Sequence, residues 1–330
     1  MLDFKLDFKG DAFRILQLTD MQIIDATQQR FPGRLKPEEC EWWQPENMDK
    51  LYYSFVDELI LRTKPDLIVI TGDIVYGQFD DTGRVFSDFV KRTDSYGIPW
   101  APVWGNHDNE STVGVAFQIE KLKSASNCLF EKGDTDGTSN YTIGIMKDGR
   151  LLRTLYMLDS NGCNGASESS LKDGVIPEKG ITENQKSWLL SRGEKIASAY
   201  GKAPAFSLFH INTLDVYDAL FARGLINDDT YRVRGALKAD LGFGTEEFGK
   251  MYEPCETGKV QIKDVMKKVS IDGVFLGHQH KNNLSFVQDG IRYTWGTKTG
   301  YYDYHAKDMH GGTVIDVLPD GRFSVKHEFI

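Results

Sequence analysis

Apolar residues in this chain collect in short runs separated by longer stretches of helical periodicity. The runs at residues 13–19, 66–71, 99–104, 153–158, 205–209 and 273–276 are too short for helices and read as buried strands. Between them, Met48, Leu51, Phe55, Leu59 and Ile60 recur at helical spacing, with Asn47 placed as an N-cap and Pro65 marking the exit. Thr182 and Gln185 have the spacing of a capping box that would open a second helix. Near the C-terminus, residues 284–295 and 313–329 alternate around Asp-Gly turns and predict hairpins. Alternating strand and helix closed by hairpins predicts one α/β domain over residues 1–330, built on a layered sheet core. The connections at 22–46, 160–181 and 212–258 are long enough to be functional loops or to hold small elements.

Composition narrows the function classes. A net charge of −9 supplies no basic footprint for phosphate backbones, which argues against nucleic acid as a partner. A phosphorylated small molecule stays compatible, because bound cations reverse the local field of an acidic protein. Cys40, Cys128, Cys163 and Cys255 form no C-x-x-C pair, which disfavours both a disulfide framework and a thiolate zinc site. The N-terminal segment lacks an apolar signal region, and no run approaches the roughly 18 apolar residues of a membrane span. A cytoplasmic protein without a membrane partner is the expectation.

The chemistry-bearing residues sit where the strands end. Asp20 and Gln22 follow the first run, Asp73 and Tyr76 the second, and Asn106, His107 and Asp108 the third. His210 closes a later run, and His278 and His280 another. Singly, each has a plainer explanation: a strand-end Asp commonly caps a turn, and a lone His commonly packs in a core. Together they would converge, because ligands of open α/β sheets sit beyond the carboxyl ends of the strands. Carboxylate, imidazole and amide oxygens suit Mn, Fe or Zn. Two metals about 3.5–4 Å apart need a bridging ligand, and Asp73 is the carboxylate placed for it.

The series Asp20-x-Gln22, Gly72-Asp73, "GNHD" at 105–108, His210 and "GHQH" at 277–280 resembles the calcineurin-like metallophosphoesterase superfamily. "GNHDNEST", "EPCETG" before "IDGVFLGHQHKNN", and "WGTKTGYYDYH" are similar to its intracellular branch related to purple acid phosphatases. The resemblance implies a central β-sandwich of mixed sheets flanked by helices. It also implies two divalent or mixed-valence metal ions. One would be held by Asp20, Asp73 and His280, with Gln22 or Tyr76 as a further ligand. The other would be held by Asp73, Asn106, His210 and His278. A metal-bridging hydroxide would then attack a phosphate mono- or diester. His107 would act as general acid or phosphoryl stabiliser, and Asp108 would hydrogen-bond His107.

Gln22 departs from the pattern, since many members carry His there. Glutamine occurs in branches acting on nucleotide diesters or pyrophosphates, which keeps a nucleotide pyrophosphatase or cyclic-nucleotide phosphodiesterase as an alternative. "GDIVY" matches the motif in which purple acid phosphatases place a tyrosinate, so Tyr76 is the other candidate for that position. A non-catalytic scaffold of the same fold is the third reading. The substrate would be a phosphorylated small molecule or a phosphoprotein, and the oligomeric state stays open. Trp42, Trp43, Tyr301, Tyr302 and His305 adjoin the motifs and could wall a substrate pocket, although pinning a loop to the core is the expected role of the Trp pair. Lys298 lies in the same loops and could help bind a phosphate, although a solvated surface position is the expected one; His310 and His327 have no assigned role.

Overall fold

The structure is a computed structural model that describes residues 1–31, 33, 37, 40, 43, 48–162, 180–225, 241–242, 260–301, 305–306 and 308–330. Asn47, Trp42, Tyr302, Cys163 and Cys255 therefore lie outside the described residues.

Two mixed sheets form the centre. The first has five strands in the order β12 (Phe323–Phe329), β11 (Gly311–Val317), β2 (Phe13–Leu18), β3 (Leu67–Thr71) and β4 (Trp100–Val103). The second has seven: β1 (Phe4–Asp7), β5 (Tyr141–Lys147), β6 (Arg150–Met157), β7 (Ala205–Leu208), β8 (Ile271–Leu276), β10 (Ile291–Trp295) and β9 (Ser285–Gln288). β2, β3 and β4 run parallel to one another, as do β6, β7, β8 and β10. Parallel strands buried on both faces read as continuous apolar runs, which is why "LIVIT" of β3 is buried throughout.

One apolar cluster joins Ile15, Ile70 and Val103 of the five-stranded sheet to Ile143, Leu155, Phe206 and Phe275 of the other. A second lies under α4 (Glu183–Tyr200), α5 (Leu214–Ala222) and α6 (Lys263–Lys268), where Trp188, Leu189, Val216, Leu220 and Met266 are buried. On the five-stranded side, α1 (Met48–Thr63) contributes Leu59, and α2 (Arg84–Asp94) contributes Phe86 and Phe89. α3 (Gly114–Ser124) contributes Leu122. The capping box of α4 forms as the spacing predicts: Gln185 N donates to Thr182 Oγ1 at 3.2 Å, and Thr182 N donates to Gln185 Oε1 at 3.0 Å. Among the described residues, no helix is long and apolar enough to cross a membrane.

Two strands escape the apolar-run reading. β5 pairs antiparallel with β6 across Asp148 and Gly149, both left-handed at φ 51° and 76°. The same Asp-Gly signal that marks the turn at Asp289 and Gly290 was present there. β1 is an edge strand whose residues alternate between half-buried and exposed, so its "FKLD" has too little apolar content to register as a run.

Candidate metal centre

The carboxyl ends of the parallel strands meet, as the strand-end pattern predicts. Asp20 follows β2, Asp73 follows β3, His210 follows β7 and His278 follows β8. Asp20, Gln22, Asp73 and His278 have φ of 50°, 47°, 53° and 73°, left-handed values that few residues other than glycine adopt. Neighbouring backbone holds them there: Asp20 N donates to Gly72 O at 3.1 Å, and Gln22 N to Asp73 O at 2.8 Å. Such strain persists only where the surroundings over-determine it, and it collects at functional sites. The glycines before Asn106 and His278 have a steric reason. A Cβ on Gly105 would lie 2.1 Å from Asp73 Oδ1, and one on Gly277 would lie 2.2 Å from Thr19 Oγ1.

Asp20, Asp73 and His210 bring potential ligand atoms within 4.8 Å of one another, all buried. His210 Nε2 is 3.2 Å from Asp73 Oδ2 and 3.9 Å from Asp20 Oδ1, and His280 Nε2 is 3.3 Å from Asp20 Oδ1. His210 Nδ1 lies 2.7 Å from the Thr71 carbonyl, which can only accept, so Nδ1 carries the proton and Nε2 faces the carboxylates. The His278 ring sits 5.1 Å from that of His210, and its backbone N–H donates to both oxygens of Asp20 at 3.1 and 3.0 Å.

Burial alone would raise the pKa of both acids. The neighbouring imidazoles outweigh it, chiefly His210, with His280 at Asp20 and His107 at Asp73, and hold both below the usual carboxylate range. Burial would likewise lower His210, yet the two carboxylates push it up to about 9. Two buried carboxylates and an imidazole with ligand atoms this close together suit a cation between them. Asn106 Oδ1 points the same way: it is buried and accepts no hydrogen bond among the described residues. An acceptor left so costs about 1–3 kcal/mol unless an ion or water meets it. The donor set of two carboxylates, imidazoles and an amide oxygen, with no thiolate, fits Mn, Fe or Zn.

Around His107 the structure corrects the sequence reading. Asp108 does not turn to His107. Its Oδ2 accepts from Asp73 N at 2.9 Å and Gly105 N at 2.7 Å, and its Oδ1 from Ile74 N at 2.8 Å and Val75 N at 3.1 Å. Burial, and then the charge of Asp73, push its pKa up to about 7 against the pull of those donors. Asp108 therefore pins the 73–75 loop to the turn that carries Asn106. The acid that reaches the imidazole is Glu110, buried, with Oε1 3.0 Å from His107 Nδ1. Its signal was its place three residues after His107, and the short 3₁₀ turn Asp108–Glu110 makes that spacing a contact.

Asp108→Asn tests this assignment. In either amide orientation an NH₂ would face two backbone N–H groups, so an expected loss of about 2–5 kcal/mol should appear in the denaturant midpoint. The rate per folded molecule should change far less. A changed pH–rate profile with unchanged stability would restore Asp108 as the partner of His107.

Tyr76 stacks on His107 with ring centroids 3.9 Å apart and planes 22° from parallel. Trp43 is buried and meets Tyr76 at 5.5 Å and Phe79 at 5.0 Å, which is the loop-pinning role expected of it. Tyr301 packs among His305, His310 and Phe55 at 5.0, 5.1 and 6.1 Å.

Lys298 overturns its expected surface placement. It is 1% exposed, and its Nζ donates to Asp20 O at 2.8 Å and to Gln22 Oε1 at 2.7 Å. Gln22 faces the site, with Nε2 3.5 Å from Asp73 Oδ2 and 3.4 Å from His280 Nε2.

Comparison with known proteins agrees with this fold. A crystal structure of a dimetal phosphatase from Danio rerio superposes with a TM-score of 0.56, at 13% identity, covering 96% of each chain. The chain is 27% identical to a protein named probable inactive purple acid phosphatase 28 of Arabidopsis thaliana, over 92% of this chain and 75% of that one. It is 30% identical to phosphatase DCR2 of Saccharomyces cerevisiae over 45% of this chain and 27% of that one. The family model for calcineurin-like phosphoesterases matches residues 13–282, a span that holds every strand-end cluster from Asp20 to His280. This chain therefore belongs to the calcineurin-like phosphoesterase family.

Proposed function

We propose that the protein hydrolyses phosphate mono- or diesters with two bound metal ions. The observation that carries this reading is the buried Asp20–Asp73–His210 constellation, whose potential ligand atoms lie within 4.8 Å of one another. Asp20, Asp73 and His280 would hold one metal, with Gln22 or Tyr76 completing it, and Asp73, Asn106, His210 and His278 the other. Bound there, the pair would offset the phosphoryl charge and make water acidic enough to react at neutral pH. The protein's own part is to hold these ligands in a strained, over-determined backbone and to set His107 beside them. With Glu110 against Nδ1, the other ring nitrogen of His107 is the one assigned to stabilise a phosphoryl oxygen or protonate the leaving oxygen.

A non-catalytic scaffold is the second reading, favoured by the word "inactive" in the names of the Arabidopsis relatives. Against it stands the presence of each expected ligand type except at position 22. The separating experiment loads the protein with Mn or Fe, verifies two metals per chain, and assays aryl phosphate monoesters and diesters. Turnover of either class is the expected result, and the favoured class assigns the esterase type. No turnover with both metals bound would leave the scaffold reading.

A further inference from the structure

Gln22 stands where many members of the family have histidine, and the structure says what the exchange does. A lysine ammonium has only hydrogens to offer, so the atom of Gln22 that Lys298 Nζ meets at 2.7 Å must be the amide oxygen. That fixes the other end of the amide. The NH₂ group, a donor with no lone pair for a metal, is the end turned toward Asp73 Oδ2 and His280 Nε2.

Lys298 is itself held rigidly. The segment that carries it zips onto the strand-end loop of Asp20: Thr299 N donates to Thr19 O at 2.9 Å, and Gly300 N to Asp20 O at 3.2 Å. Thr19 N donates back to Thr299 Oγ1 at 3.1 Å, and a Cβ on Gly300 would lie 2.2 Å from Met21 O. Lys298 Nζ also donates to Asp20 O at 2.8 Å, so its head group is fixed at two points. Gln22 is fixed as well, at φ 47° with its N–H on Asp73 O. Either side chain that swung away would give up these hydrogen bonds inside a buried site.

We propose that Lys298 is a positioning residue that keeps Gln22 from ligating metal and makes its amide a hydrogen-bond donor to a tetrahedral oxyanion, the phosphoryl group of the substrate. The inference rests on the dinuclear reading above. It deepens that reading by replacing a titratable ligand with a neutral donor backed by a buried cation. A histidine at position 22 could give metal a lone pair, whereas Gln22 so oriented gives the phosphoryl oxygen an N–H. Lys298 adds positive charge to the same side of the site, which favours an anionic ligand and disfavours tight metal binding.

The test measures Mn²⁺ affinity and stoichiometry by calorimetry, then binding of inorganic phosphate to the Mn²⁺-loaded protein. Gln22→Met is expected to keep two Mn²⁺ per chain with affinity within about twofold of wild type, while phosphate binding weakens about tenfold, the loss of one hydrogen bond to a charged group. Lys298→Met frees the amide to turn its oxygen inward and should tighten Mn²⁺ binding about 10–100-fold. In the Gln22→Met background that gain should shrink to about threefold or less, because only the charge remains to be removed. A Gln22→Met protein that loses a metal, or binds Mn²⁺ tenfold more weakly, overturns the proposal, and so does unchanged phosphate binding. If Lys298→Met does not fold, Gln22→Met decides alone. Wild-type protein that binds no Mn²⁺ would overturn the dinuclear reading itself and the inference with it, an outcome distinct from every variant result.

Discussion

Asp73→Asn should lose at least one of the two metals and lower turnover by about 10³-fold or more. Asp73 is buried, and each of its oxygens is already engaged. Oδ1 accepts from His107 N at 2.8 Å, and Oδ2 lies 3.2 Å from His210 Nε2. A residue shared between two metals would have to neutralise charge on both, and an amide, with one acceptor oxygen and no charge, would not. The substitution isolates chemistry from folding, because asparagine tolerates the left-handed backbone that position 73 requires better than most residues. The direct readout is metal content, with far-UV circular dichroism as the check on fold. A second readout needs no substrate. A ligand present at 100 times its dissociation constant stabilises the folded state by about 2.7 kcal/mol. Wild-type protein should therefore melt at a higher temperature on addition of Mn²⁺, and the variant should lose most of that rise. Retention of two metals by Asp73→Asn would remove Asp73 from the bridging position.

His107→Ala should lower the rate by about 10²–10⁴-fold while leaving two metals bound. The reasoning separates the ring from the backbone. The backbone N–H of His107 supports Asp73, and alanine keeps it. The imidazole stacks on Tyr76 and reaches Glu110, and alanine removes both contacts. Glu110→Gln should lower the rate in the same direction but less, since the ring keeps its place on Tyr76 and loses only a charged neighbour. A protein that has become a scaffold would show no activity to lose in either variant. An unchanged rate in an active enzyme would move the general-acid role elsewhere in the site.

The placement of Asp20, Asp73, Asn106, His210, His278 and His280 was legible because it follows from local pattern. Apolar runs form the strands, the strands run parallel, and whatever follows their carboxyl ends shares one edge of the fold. The contacts of Asp108, Glu110 and Lys298 were not legible in that way. Asp108 and Glu110 are neighbours of His107 in sequence, and adjacency alone favoured the wrong one. The 3₁₀ turn at Asp108–Glu110 carries Glu110 round to the ring, and four backbone N–H groups draw Asp108 away. Lys298 looked like a surface residue because lysine usually is one. Its burial depends on β10 lying beside β8, which sets the loop after Trp295 against the loop after Leu18. The pairing of β5 with β6 escapes for a simpler reason: Thr142 and Gly144 interrupt the apolar residues of β5, so only 153–158 of β6 reads as a run and the Asp-Gly turn lacks a visible first strand.

By itself the sequence determined the sheet-based fold, the strand ends at which the candidate ligands sit, and the donor types that suit a hard or borderline metal. These depend on periodicity and side-chain chemistry, which act locally. The tertiary structure alone decided which end of Gln22 faces the site. An amide has an acceptor at one end and a donor at the other. Only a neighbour brought 276 positions along the chain, Lys298 with its ammonium on Oε1, chooses between them.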